Sequence, residues 1–172
     1  MNAGKTEIAD NLEEITVLFA DQFGIEKIKT IGDCYMALSN LMEDRVEATF
    51  YIVEFALAAL ARLDELRPTL NHPFHIRIGI SVGPAIAGVL RGKRSMFDVW
   101  GDTVNTASRY ESSGVPNRIH LSKPVADRIK ESYALEERPA IDLRGKGSMP
   151  SFFLGERFNQ LQPLCSAVNG NS

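Results

Sequence analysis

A chain of 172 residues and 19.0 kDa is the size of one ordinary domain and can bury a sizeable core. Its 44% hydrophobic and 24% charged residues exclude a disordered or fibrous chain. Lys and Arg number 19 against 22 Asp and Glu, and this net charge of −3 argues against a dedicated nucleic-acid surface. The longest fully apolar run, Phe55 to Ala61, falls short of the roughly 20 residues that a membrane span needs, and no basic-then-apolar leader is expected. Cys34 and Cys165 lie far apart without metal spacing, which disfavours a disulfide scaffold or zinc module and points to a reducing compartment.

In chain order, the first twelve residues are polar and carry little signal. Ile15 to Phe19 is a short, β-branched apolar run that predicts a buried strand leading to Asp21. Ile25 to Leu38 predicts two strands joined as a hairpin at Gly32-Asp33. Glu43 to Leu66 predicts the longest helix, with Val46, Phe50, Val53, Leu57, Leu60 and Leu63 on one face, ended by Arg67-Pro68. His75 to Val82 alternates as a strand, Gly83-Pro84 predicts a turn, and Ala85 to Leu90 predicts a returning strand. Val104 to Glu111 predicts a helix stopped by Ser112-Ser113-Gly114. A short strand at Ile119 to Leu121, a helix over Lys123 to Ser132 and two strands around Arg144 to Gly147 follow. The fold class expected is α+β, a mostly antiparallel sheet with helices on one face. It forms one domain over residues 1–172, with loosely ordered ends at 1–7 and 160–172.

Several polar residues sit where chemistry could use them. Asp21 and Asp33 each end an apolar run, and paired carboxylates at strand ends can hold metal ions and a phosphate chain; Asp at strand ends is also common in turns. Lys27 and Lys29 share a face on a period of two, which by itself describes a solvated sheet face. Asp98, between Phe97 and Val99-Trp100, is costly there unless paired with a base from Arg91 to Arg94 or reading a donor such as an adenine amino group. Asn105 and Arg109 are four apart on one helix face, either a surface pair or a phosphate-binding pair. The Arg144-Gly145-Lys146-Gly147 turn offers cations and amides without Walker spacing. His72, His75 and His120 have no nucleophile partner in evidence.

Four stretches together resemble the catalytic domain of class III adenylyl/guanylyl cyclases: Ile8 to Asp21, Gly24 to Leu38, His75 to Ser112 and Ile141 to Arg157. The third, HIRIGISVGPAIAGVL through FDVWGDTVNTASRYES, is the most specific and looks most like bacterial membrane-bound and mammalian-type cyclases. The resemblance implies a ferredoxin-like (βαββαβ) fold working as a head-to-tail homodimer with composite active sites at the interface. One chain would supply the metal ligands, matching Asp21 and Asp33, for two Mg2+ or Mn2+ ions per site. The other would read the base through the positions of Lys29 and Asp98 and steady the transition state through those of Asn105 and Arg109. A triphosphate cation, usually Lys, is matched by Arg144. The Lys29/Asp98 pair is of the adenine-reading type, so the resemblance implies ATP as substrate and cyclic AMP and pyrophosphate as products. It also implies a cytoplasmic domain of a membrane-anchored protein, with no nucleic-acid partner and the membrane reached only through further N-terminal segments.

One departure stands out. The family continues from the strand matching ITVLFAD into a phosphate-binding turn and two helices, whereas here only Gln22-Phe23-Gly24 precede the hairpin. A parallel crossover normally takes a dozen or more residues, and three span at most ~11 Å against a strand of roughly 20 Å. Three readings follow. Residues are missing from the sequence between Asp21 and Gly24, which the ITVLFAD match favours; the deletion is real and the first strand is remodelled or swapped; or Ile8 to Phe23 is one helix, with Ile8, Leu12, Ile15, Phe19 and Phe23 on its face. The leading expectation is an adenylate cyclase, with a guanylate cyclase and a catalytically silent domain serving in dimerisation as the alternatives.

Overall fold

The computed structural model describes residues 6–17, 26–31, 34–39, 45–71, 74–90, 96–143 and 146–158. Its elements in chain order are β1 (Thr6–Val17), β2 (Glu26–Ile31), β3 (Cys34–Ser39), α1 (Arg45–Leu66), β4 (Ile78–Leu90), β5 (Met96–Trp100), α2 (Asp102–Ser112), β6 (Ile119–Ser122), α3 (Lys123–Ile129), β7 (Tyr133–Leu143) and β8 (Gly147–Arg157). The strands form one sheet in the order β2-β3-β1-β4-β6-β8-β7, with β5 paired to β4. Among the described residues every pairing is antiparallel except β4 with β6. The fold is α+β, and the β2-β3-β1-β4 order is that of a ferredoxin-like core.

The pleat of β4 decides which helix covers which face. Ile78, Ile80 and Val82 join Ile52, Val53 and Ala56 of α1 and Val125 and Ile129 of α3 in one buried cluster. Ala85 and Ala87, an odd number of residues further on, join Met36, Leu38, Val99 and Ala107 of α2 in a second. Successive strand residues point to opposite faces, so α2 lies across the sheet from α1 and α3. The expectation of helices on one face is corrected: the mixed size of the β4 residues, large on one face and small on the other, serves two helix layers. Gly79 shows how close α2 comes, since a Cβ there would lie 2.2 Å from the Glu111 nitrogen.

Further expectations change with the structure. Gly83-Pro84 does not turn the chain; Gly83 has φ 159°, near extended, and β4 runs through it to Leu90. Phe97 to Trp100, left without an element in the sequence, belongs to β5, which pairs Ile86 to Leu90. β1 begins at Thr6, inside the polar stretch read as loose, because backbone pairing with β4 from Thr6↔Leu90 to Val17↔Ser81 needs no apolar alternation. A helix over Ile8 to Phe23 is excluded by that strand. In α1 the buried face is Ala48, Thr49, Ile52, Val53, Ala56 and Leu63, with Phe50, Leu57 and Leu60 only partly buried beside it. Small residues there let the helix approach the sheet, a signal that large-residue periodicity misses. α3 ends at Ile129 rather than Ser132.

The described ends of β1 and β2 both pair with β3. Val17 of β1 and Glu26 of β2 both face Leu38 of β3, from its two sides. β1 overlaps β3 in Thr16 and Val17 among the described residues, so β2 starts at the level where described β1 ends. The step between those ends is sideways by two strand spacings, ~10 Å, and eight residues can reach ~26 Å. The proposed omission between Asp21 and Gly24 itself lies outside the described residues.

Candidate active site

Lys29 and Asp98 are 69 residues apart in sequence and meet in space. The Lys29 ammonium lies 2.8 Å from each Asp98 carboxylate oxygen. Asp98 is 9% exposed, and its Oδ1 also accepts the Val99 N–H at 2.8 Å. Burial of this charge is thus offset by an ion pair and a main-chain donor, as a carboxylate in an apolar strand requires. Among the described residues its partner is Lys29; the Arg91 to Arg94 segment, the other candidate, lies outside them. Local backbone brings Lys29 there: pairing steps from Lys27↔Ala37 to Lys29↔Met36, an extra residue in β2 that breaks its alternation. The period of two from which Lys27 and Lys29 are expected to share a face does not hold in the backbone across this bulge, and Ile28 packs on the cluster under α2.

Asn105 and Arg109 are exposed on α2, one turn apart. Arg109 makes no ion pair among the described residues, so its guanidinium is available to an anion. The helix beneath it is anchored along its length. Thr103 donates its hydroxyl to the Pro84 carbonyl at 2.6 Å, Arg77 pairs with Glu111 at 2.9 Å, and the Tyr110 hydroxyl donates to the Pro150 carbonyl at 2.8 Å. Burial pushes the Tyr110 phenol up to about 12, which keeps it a donor across the working range of a protein.

Lys146, at the start of the β8 hairpin, pairs with Asp102 in the first turn of α2 and donates to the Thr106 hydroxyl at 3.1 Å. This cation of the Arg144 to Gly147 turn is thus engaged with the helix, a tie that the sequence reading did not anticipate. Asp21, Asp33 and Arg144 lie outside the described residues. Asp33 belongs in sequence to the two-residue connection between Ile31 and Cys34, the paired ends of β2 and β3. Among the described residues the structure brings together Lys29 with Asp98, and sets Asn105 with Arg109 on one helix face. Among the described residues no hydrogen bond or ion pair links the two pairs. Sequence reasoning passed over His120, which is fully buried beneath α2; a polar residue between Ile119 and Leu121 in a four-residue core strand is the signal it left.

The chain is 39% identical over 134 residues to an adenylate cyclase of Mycobacterium tuberculosis, an alignment covering 78% of this chain and 30% of that protein. It is 37% identical over 138 residues to guanylate cyclase soluble subunit beta-2 of Rattus norvegicus, covering 78% of this chain and 20% of that one. This chain therefore spans under a third of the length of these relatives. Its fold matches the guanylate cyclase domain of RhGC from Catenaria anguillulae, in complex with GTP, with TM-score 0.79 and 26% identity over 87% of this chain and all of that one. The model of the adenylate and guanylate cyclase catalytic domain matches residues 5–156, and the chain belongs to that family.

Proposed function

We propose that this domain is an adenylate cyclase, converting ATP to 3′,5′-cyclic AMP and pyrophosphate at a composite site between two copies of the chain. The observation that carries the choice of ATP is the Lys29–Asp98 pair, 2.8 Å apart and mostly buried. An ammonium donor beside a carboxylate acceptor complements adenine, whose ring nitrogen accepts and whose amino group donates. Guanine presents an oxygen acceptor and a ring N–H at those edges, the reverse pattern. A mismatch leaves buried polar groups unpaired, which is where large discrimination arises.

In the reaction the ribose 3′-hydroxyl loses its proton to solvent as its oxygen bonds to the α-phosphorus, and the bond from that phosphorus to the oxygen bridging to the β-phosphate breaks, releasing pyrophosphate. Arg109, exposed and free of an ion pair among the described residues, meets the negative charge that grows on the α-phosphate and bridging oxygen. Asn105, one turn away, adds a neutral hydrogen-bonding group on the same face. Arg144 would meet the triphosphate. Asp21 and Asp33 would hold two Mg2+ or Mn2+ ions, which when bound lower the pKa of the 3′-hydroxyl and neutralise the triphosphate. No protein side chain is assigned as a dedicated base. The greater length of the relatives supports a parent protein with additional segments, and we place this domain on its cytoplasmic, membrane-tethered side as part of the same proposal.

The short connection between Val17 and Glu26 favours one second reading, a cyclase-like domain that binds nucleotide and dimerises without turnover. Purified chain with ATP and Mg2+ or Mn2+ separates the two. Metal-dependent release of cyclic AMP and pyrophosphate supports the enzyme. ATP binding with neither product would transfer the assignment to the silent domain.

A further inference from the structure

His120 is fully buried, yet neither the apolar core nor the proposed chemistry calls for an imidazole there. Its backbone lies level with Gly79 of β4 and Phe153 of β8, on the face that α2 covers. The ring meets Tyr110 edge-on with centroids 4.9 Å apart, and Phe153 at 5.2 Å. Its Nδ1 lies 2.8 Å from the Tyr110 carbonyl oxygen. A carbonyl only accepts, so Nδ1 carries the proton. Nε2 is buried with no partner among the described residues, a place for a bare lone pair and not for a second, charged N–H. Burial lowers the pKa, the Tyr110 carbonyl opposes that, and the Arg138 charge lowers it further, so the ring is neutral.

The carbonyl that His120 holds is one that α2 leaves over at its C-terminus. The Ser113 N–H donates to the Arg109 carbonyl at 3.0 Å, and the Gly114 N–H donates to the Glu111 carbonyl at 2.9 Å. Apart from the imidazole, the Tyr110 oxygen has among the described residues only the Ser113 hydroxyl at 3.5 Å, the outer limit of a hydrogen bond. At its other end Tyr110 is tied by its phenol to Pro150. Tyr110 is thus fixed at main chain and side chain, and Arg109 is the residue before it.

We propose that His120 is a positioning residue, whose Nδ1–H on the Tyr110 carbonyl fixes the height and rotation of the last turn of α2 and so aims Arg109 at the reacting phosphate. This rests on the cyclase reading of Arg109. Displacement of a reacting group by about 1 Å can cost up to about 100-fold in rate.

The test compares His120→Leu, which fills the space without a donor, with His120→Asn, whose amide nitrogen can stand near Nδ1. With MgATP, folded His120→Leu is expected to lose about 10- to 100-fold in kcat with KM changed by less than about threefold, since only the transition state uses the aim of Arg109. His120→Asn is expected to recover most of that loss. Should the Leu variant fail to fold, His120→Gln, whose amide reaches toward Nε2, takes its place with the same expectation. Wild-type kcat in the folded variant, or a loss that appears only in KM, would overturn the proposal. Failure of the cyclase reading shows separately, as wild-type protein without turnover. Positioning is then read from amide hydrogen exchange over Arg109 to Ser113, expected to quicken about tenfold in the Leu variant but not in the Asn variant. Unchanged exchange in the Leu variant would overturn it.

Discussion

A carboxylate is costly to bury, and at Asp98 one ammonium and one amide offset that cost. The proposed choice of nucleotide rests on two side chains whose exchange has a calculable consequence. Replacing Lys29 by Glu and Asp98 by Ser should remove the adenine pattern and supply an acceptor for the guanine N–H. We expect kcat/KM for ATP to fall by about 10- to 100-fold, with the GTP-to-ATP ratio rising by at least as much, from unpaired groups worth about 1–3 kcal/mol. Separation of the cyclic products by chromatography measures it, and an unchanged ratio would mean the pair does not read the base. Arg109→Ala should lower kcat by about 100- to 1,000-fold with an unchanged circular dichroism spectrum, because the Arg109 side chain is exposed and makes no ion pair among the described residues. At this scale much was legible in the sequence. Asp98 between apolar neighbours announced a paired charge, but the partner was hidden, because the β2 bulge that delivers Lys29 leaves no mark in composition or period. His120 was hidden for another reason: its place between Ile119 and Leu121 hinted at burial, but only the structure shows which carbonyl its ring meets.

Among the elements, α2 carries the proposed transition-state pair, and its seat on β4 is correspondingly tight. A methyl group on Gly79 would meet the Glu111 nitrogen at 2.2 Å and the Ala107 oxygen at 2.4 Å, both backbone atoms that cannot swing aside. Gly79→Ala should push α2 off the sheet, costing about 2–4 kcal/mol in denaturant unfolding and lowering kcat along with stability. Stability at the level of wild type would show that α2 tolerates displacement. The hairpins, the long helix and the stop after α2 could be read from turn residues and periodicity. The run through Gly83-Pro84 could not, since the same dipeptide serves a turn or a strand and only the pairing partner decides. β1 was unreadable in its first half because its register is set by β4 through backbone hydrogen bonds.

For the whole molecule, two consequences follow from burial and from the composite site. An unfolded chain protonates its histidine near pH 6.5, but the buried His120 ring resists the proton. The unfolded state then binds more protons, so stability is full above that pH and declines as pH falls from about 6.5 toward the lowered native value, with a slope of up to about 1.4 kcal/mol per unit. Unfolding midpoints at pH 7.5 and 5.5 should separate more in wild type than in His120→Gln; equal separations would show that the ring titrates normally in the fold. If each site joins the aspartates of one chain to Arg109 of another, mixing inactive Asp33→Ala and Arg109→Ala chains should restore about a quarter of wild-type turnover, because half the dimers are mixed and each has one intact site. No recovery would point to a site within one chain.

The most direct test of the central claim is the ratio of kcat/KM for ATP to that for GTP, measured on the 172-residue chain with Mg2+ and with Mn2+. A ratio above about 10, with cyclic AMP and pyrophosphate released in equal amounts, is the predicted result. A ratio below one, or hydrolysis without a cyclic product, would contradict it.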